Sequence, residues 1–211
     1  MQSAVGNRRP LTARAGVLGL QGDFAEHLAT LDRLGVEGVD VRRPEQLDEI
    51  DALIIPGGES SVMTLGIERE GLAEPLRQLV ASGTPVLGTC AGMIMLDRDH
   101  LGVLDLRARR NAFGRQLRSF EAELDVEGVD GGPVHAVFIR APWVSEHGES
   151  VEVLAEVDGH PVAVRQGNVI AVAFHPELAG ETRLHELVLG LNGYRVPARS
   201  RPRADSRSRE E

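Results

Sequence analysis

Pro85-Val86-Leu87-Gly88-Thr89-Cys90-Ala91-Gly92 is the stretch on which the fold turns. Its first four residues are apolar or small and show no polar alternation, as expected of a strand covered on both faces of a parallel sheet. Residues 88–92 then take the form glycine, any residue, nucleophile, any residue, glycine. That is the pattern of a sharp strand-to-helix elbow, with cysteine where hydrolases often carry serine. Such a turn sets the sulfur at a helix N-terminus, where free N–H groups and the helix dipole favour thiolate over thiol. A free cysteine met in isolation reads more simply as a small buried hydrophobe. The strand–elbow–helix setting makes Cys90 the candidate nucleophile.

Upstream, the same alternation repeats. Residues 15–20 are an apolar run that reads as a parallel strand, broken by Gln21-Gly22-Asp23, with Asp23 as a plausible N-cap. Phe24, Leu28, Leu31 and Leu34 follow at helical spacing, and Gly35 sits where a C-terminal cap belongs. Residues 36–41 and 52–55 read as two more strands. Pro56-Gly57-Gly58-Glu59-Ser60 makes a tight loop before a helical stretch that ends near Gly83. Strand following helix in this way predicts a mostly parallel central sheet flanked by helices, an α/β fold of flavodoxin-like type. Downstream the pattern changes. Residues 120–126, 134–139, 151–157, 162–165 and 169–174 read as strands, with Asp158-Gly159 and Gly167-Asn168 as turn signals, so antiparallel hairpins should flank or extend the sheet. A helix over 184–191 closes the domain near Gly193.

His175-Pro176-Glu177 follows the last apolar strand. Residues two apart in an extended segment face the same side, so the Glu177 carboxylate can reach one ring nitrogen of His175 while the other faces a nucleophile. That is the base-plus-orienter arrangement of a catalytic triad. The Pro-Gly-Gly of residues 56–58 is also a common turn sequence. Its place after a parallel strand is where such sheets bind ligands. The backbone N–H groups of Gly57 and Gly58, with that of Ala91, are therefore candidates to stabilise an oxyanion.

Composition removes several classes of function. The 211 residues fit one domain, and no apolar run approaches the length of a membrane span. Arg8 and Arg9 are followed by no apolar stretch before Arg14, so no secretory leader is expected and the cytoplasm is the default location. Net charge is −9, with an Arg-rich end of local charge +3 from residue 195 onward, so the body carries −12 and repels nucleic-acid phosphates. Residues 1–12 and 195–211 read as disordered ends of a single 13–194 domain. The lone cysteine excludes an internal disulfide and a multi-cysteine metal site, and neither His100 nor His135 has a ligand partner at recognisable spacing. No metal and no cofactor are expected. All 23 basic side chains are arginine, so this chain offers no lysine for imine chemistry.

The chain resembles the class I, triad-type glutamine amidotransferases, and within them the glutaminase subunits of pyridoxal 5′-phosphate synthase. The resemblance rests on Gly16-Val17-Leu18-Gly19-Leu20-Gln21-Gly22, Arg42-Arg43-Pro44-Glu45-Gln46-Leu47, the 56–60 loop and the 88–92 elbow. It also rests on Arg110-Asn111-Ala112-Phe113-Gly114-Arg115-Gln116, Phe138-Ile139-Arg140-Ala141-Pro142 and Phe174-His175-Pro176-Glu177-Leu178. It implies Cys90 as nucleophile, His175 as base and Glu177 as its orienter. Bound L-glutamine is implied against Gly58, Glu59, Ser60, Arg110, Ile139 and Arg140. The implied partner is a lysine-bearing synthase subunit in a large hetero-oligomer, which receives ammonia and builds the cofactor from a pentose phosphate and a triose phosphate. The Leu20-Gln21-Gly22 turn is the implied point of coupling to it. The chain departs from the pattern at its two ends and between Met95 and His100, where relatives carry a longer loop. A glutaminase serving another synthase, a silent docking subunit and a thiol peptidase on the same fold remain the alternatives.

Overall fold

The computed structural model describes residues 13–113 and 119–195. Of the ends read above as disordered, residues 1–12 and all of 195–211 but its first residue lie outside the described residues, as do Gly114 to Gln116 of the quoted motif. The chain opens with β1 (Arg14–Leu18), α1 (Phe24–Arg33), β2 (Glu37–Val41), a 3-10 helix (Pro44–Glu49) and β3 (Ala52–Ile55). It continues through α2 (Ser60–Arg69), α3 (Ala73–Ala81), β4 (Val86–Thr89), α4 (Ala91–Leu96) and β5 (Leu106–Arg109). The second half holds β6 (Ser119–Leu124), β7 (Val134–Ile139), β8 (Trp143–His147), β9 (Glu152–Val157), β10 (His160–Gln166), β11 (Val169–Val172) and α5 (Arg183–Leu191).

The central sheet runs in the order β2-β1-β3-β4-β11-β10-β9. β1 pairs in parallel with β2 and β3, β4 with β3 and β11, while β10 is antiparallel to β11 and β9. This is the expected α/β architecture, its parallel part extended by a hairpin. Every residue of β3, β4 and β11 is buried, which explains their unbroken apolar reading. Asp158 (φ 52) and Gly159 (φ 75) both take positive φ, as a type I′ turn between β9 and β10 requires.

Four differences from the sequence reading concern local structure. The helical stretch after residue 60 is two helices, because Gly71 at φ 67 turns the chain and lets buried Leu72 start the packing of α3. β5 and β8 pair with one another, though each is only four or five residues and neither carried a clear apolar signal. Asp23 occupies the N-cap position of α1 but its side chain makes no cap hydrogen bond. The shortened segment after Met95 leaves α4 six residues long, closed by the buried carboxylate of Asp97. That carboxylate accepts from the N–H groups of Asp99 (2.9 Å) and Ala108 (3.2 Å) and contacts His100 Nδ1 (2.8 Å).

Phe113, Phe120, Phe138, Phe174 and Trp143 form an aromatic cluster under β6 and β7, with Phe120 and Phe138 stacked at 4.4 Å. It anchors the segments that carry Arg110 and Ile139 toward the ends of β4 and β11. Among the described residues, no helix is long and apolar enough to cross a membrane.

Candidate active site

Cys90 sits directly after β4 with φ 47 and ψ −105, a conformation that L side chains seldom adopt. The fold holds it there from both sides. Its N–H donates to the Val172 carbonyl (2.8 Å), and its own carbonyl accepts from Met93 N–H (3.1 Å). The elbow also needs glycine: a Cβ at Gly92 would overlap the Ile55 carbonyl oxygen. Cys90 Sγ lies 3.9 Å from the Ile139 carbonyl oxygen and is only 7% exposed.

His175 stands across from it. The ladder of β11 stops at Val172, His175 N–H donates to the Val137 carbonyl (2.9 Å), and a turn begins at Pro176. The expected extended alternation is therefore absent. The Glu177 carboxylate still reaches His175, with Oε1 2.8 Å from Nδ1, because the turn folds it back beneath the ring. Glu177 is buried and burial pushes its carboxyl up, against the opposing hydrogen bond from His175.

A second carboxylate shares that nitrogen: Asp23 Oδ2 lies 3.3 Å from His175 Nδ1. The side chain read as a helix cap instead faces the imidazole, leaving the other ring nitrogen for the hydrogen bond with Cys90. Burial opposes a charge on His175, but hydrogen bonds with Asp23, Cys90 and Glu177 outweigh it and push the imidazole up to about 12. Asp23, His175 and Glu177 bring donor atoms within 4.8 Å of one another, a spacing that could hold a metal ion. Both carboxylates lie within 3.3 Å of the same ring nitrogen, His175 Nδ1.

A cavity of about 370 Å³ opens over the sulfur, within the size range of small-molecule sites. Gln21, Gly58, Glu59, Ser60, Ala91, Arg110, Ile139 and Arg140 all line it together with Cys90 and His175. Sheet order explains the convergence: the loops after β3, β4 and β11 leave the same edge of the parallel sheet, and the ends of β5 and β7 lean over it. Two named residues do not line it. Glu177 lies behind His175, and Gly57 packs so close to the ring that a Cβ would come within 2.9 Å of His175 Nδ1.

The functional groups on the cavity wall are already partly engaged. Glu59 caps α2, accepting from the N–H groups of Ser61 (3.2 Å) and Val62 (3.0 Å), so its carboxyl is held below the usual range. Arg110 reaches back to Glu59 (3.2 Å) in a half-exposed pair that is readily exchanged for another anion. The Glu59 N–H donates to Gln21 Oε1 at 2.6 Å, and Asp23 N–H donates to the Gly57 carbonyl at 3.2 Å. The 21–23 turn and the 57–59 loop are thus tied directly. Asp23 and Asn111 on the cavity wall were missed by the sequence reading. Asn111 had a signal in its place beside Arg110, whereas Asp23 had only its helix-cap spacing.

The SNO glutamine amidotransferase family matches residues 17–190. The chain is 54% identical over 187 residues to a pyridoxal 5′-phosphate synthase subunit PdxT from Frankia alni, covering 84% of this chain and 94% of that protein. A protein of the same name from Mycobacteroides abscessus is 52% identical, with coverage of 83% and 95%. Among solved structures, a glutamine amidotransferase is 48% identical with a TM-score of 0.80, over 85% of this chain and 99% of the other. The PurLQS structure from Thermotoga maritima shares the fold, with a TM-score of 0.65 at 19% identity over 85% of this chain and 98% of that one.

Proposed function

This chain belongs to the SNO glutamine amidotransferase family, and from that premise we propose that it is the glutaminase subunit of a pyridoxal 5′-phosphate synthase. It hydrolyses L-glutamine to L-glutamate and ammonia and passes the ammonia to a lysine-bearing synthase subunit in a hetero-oligomer, in the cytoplasm. The observation that carries the reading is the hydrogen-bonded series Cys90–His175–Glu177 at the base of a cavity, with the sulfur on a strained elbow. The name shared by relatives that match over most of their length supports the choice of synthase.

In the reaction, the Cys90 thiolate attacks the side-chain amide carbon of glutamine, and the carbonyl electrons move onto oxygen. Backbone N–H groups of Gly58 and Ala91 are the donors for that oxyanion once the loop is correctly oriented, each such donor being worth about 3 kcal/mol in the transition state. His175 gives its proton to the departing nitrogen, ammonia leaves, and a thioester remains. Water then attacks the thioester, its proton passing to His175, and glutamate departs. Glu177 orients the imidazole and stabilises its cation. Arg110 and Arg140 supply positive charge for the glutamine α-carboxylate, with Ile139, Glu59 and Ser60 shaping the wall.

Gln21 couples this site to the partner. The Gly57 carbonyl is held by Asp23 N–H, and a planar peptide points the Gly58 N–H the opposite way. The orientation of that donor therefore depends on the 21–23 turn, and glycine on both sides lets the plane rotate at little cost. Docking at the turn sets it. The test is glutamate release by the chain with and without purified synthase subunit. The partner should raise kcat at least tenfold, equivalent to about 1.4 kcal/mol, and Gln21→Ala should blunt the rise without slowing alkylation of Cys90 by a small electrophile. Full activity in the isolated chain would sink the coupling. No glutamate release in either state would sink the function.

A further inference from the structure

Behind Glu177, on the side away from the cavity, lies a pair of histidines that the reaction as written does not use. His27 comes from the inner face of α1 and His185 from α5, and both are buried. His27 Nδ1 is 2.9 Å from His185 Nε2, although the two residues are 158 apart in sequence. His27 Nε2 faces two oxygens: Thr89 Oγ1 at 3.1 Å, one residue before the elbow cysteine, and Glu177 Oε2 at 3.4 Å. Glu177 Oε1 serves His175, while Oε2 has no hydrogen-bond partner among the described residues, His27 Nε2 approaching it without making one.

We infer that His27 is a positioning residue for Glu177: its protonated Nε2 stands 3.4 Å from the otherwise bare Oε2 and presents positive N–H charge to it, while Nδ1 accepts from His185 Nε2–H. The inference rests on the reading of Glu177 as the orienter of His175.

Proton placement decides between two arrangements. In one, His27 carries its proton on Nε2, and that N–H donates to Thr89 Oγ1 while lying 3.4 Å from the Glu177 carboxylate. In the other, the proton sits on Nδ1 and points at His185. His27 then turns a lone pair toward an ionised carboxylate at 3.4 Å, with both side chains fully buried. The second arrangement also forces the proton of His185 onto Nδ1, an atom with no partner among the described residues, and a buried N–H without an acceptor is costly. The first leaves only a lone pair there.

Burial, reinforced by the surrounding groups, keeps both rings neutral. Burial, then His185 and His175, lower His27 well below the ordinary histidine value. Burial and Arg33 lower His185 to about 4, against an opposing contribution from Glu181. Asp23, His175 and His27 are the groups facing Glu177, and Asp23 adds to the burial that pushes its carboxyl up. A neutral N–H donor is therefore what this pocket can offer the carboxylate. A cationic ring is not.

Two measurements test this. Nitrogen-15 NMR of the histidine rings in the full chain reads the protonated nitrogen directly. The proton is expected on Nε2 of both His27 and His185, and a proton on Nδ1 of His27 overturns the proposal whatever the catalytic role of Glu177. The second is glutamate release, with the synthase subunit present, by His27→Leu and His27→Gln. Loss of the donor should lower kcat at least tenfold, leave KM for glutamine within twofold, and move the acid limb of the kcat profile to higher pH, because an unsupported carboxylate ionises later. His27→Gln, which retains an N–H donor, should recover most of the rate. A folded His27→Leu chain with unchanged kcat and pH profile overturns the proposal. Should His27→Leu fail to fold, the ring spectra and the Gln variant still decide it. An inactive Cys90→Ala chain beside a fully active Glu177→Gln chain would instead overturn the role given to Glu177.

Discussion

Replacing Asp23 by Asn should make His175 a markedly stronger acid while leaving its place in the fold intact. Asp23 Oδ2 lies 3.3 Å from His175 Nδ1, and the Asp23 side chain is 37% exposed. At that separation, opposite charges attract by about 5 kcal/mol at an effective dielectric constant of 20 and by about 1 kcal/mol in bulk water. Partial exposure puts the pair toward the lower end, at roughly 1.5–2.5 kcal/mol, or about 1–2 pH units. The direction follows from charge: removing an anion destabilises the imidazolium, so the value of about 12 falls toward 10 or 11. Stability follows by linkage. His175 is raised above its unfolded value, so its contribution is fully present below about pH 6.5 and is lost as pH rises through about 12. In Asp23→Asn that loss should be complete at a lower pH. The assay is the NMR titration of the His175 ring, with urea unfolding at pH 7 and pH 10 as a companion. An unchanged titration curve would refute the claim that Asp23 sustains the cation.

Two further outcomes test the assigned roles. Cys90→Ala should abolish glutamate release and keep the fold, since a small residue suits the elbow, while cofactor synthesis by the complex continues on ammonium salt; glutamate release persisting in this variant would reassign the nucleophile. His175→Asn should cost on the order of 10⁴-fold in activity, more than Glu177→Gln, because the base moves protons whereas the carboxylate orients it. Equal, mild losses in both would make His175 structural.

Much of the molecule is legible in contiguous residues. The apolar runs at residues 52–55, 85–88 and 169–174 supply the buried strands β3, β4 and β11, because a strand covered on both faces has no polar positions to show. The Gly88-Thr89-Cys90-Ala91-Gly92 elbow and the Asp158-Gly159 turn are equally local, since backbone crowding selects glycine or tolerates strain within a few residues. β5 and β8 escaped notice because their pairing stabilises segments whose own patterns are weak.

Within the site, His175 and Glu177 are two residues apart, so their contact could be expected, although a turn and not an extended strand makes it. The side chains of Asp23, Glu59 and His27 could not be assigned in the same way. Asp23 stands at a helix start yet faces His175, Glu59 lines the cavity while its carboxylate also caps α2, and His27 meets residues 62 and 158 positions away. A cap, an ion pair and a buried hydrogen bond are open to the same side chain, and only distance decides among them. The sequence by itself determines where the backbone can turn sharply and which faces must be buried, because those depend on neighbouring residues. The order of strands in the sheet decides which distant side chains come within hydrogen-bond reach, and with it the proton that His175 holds.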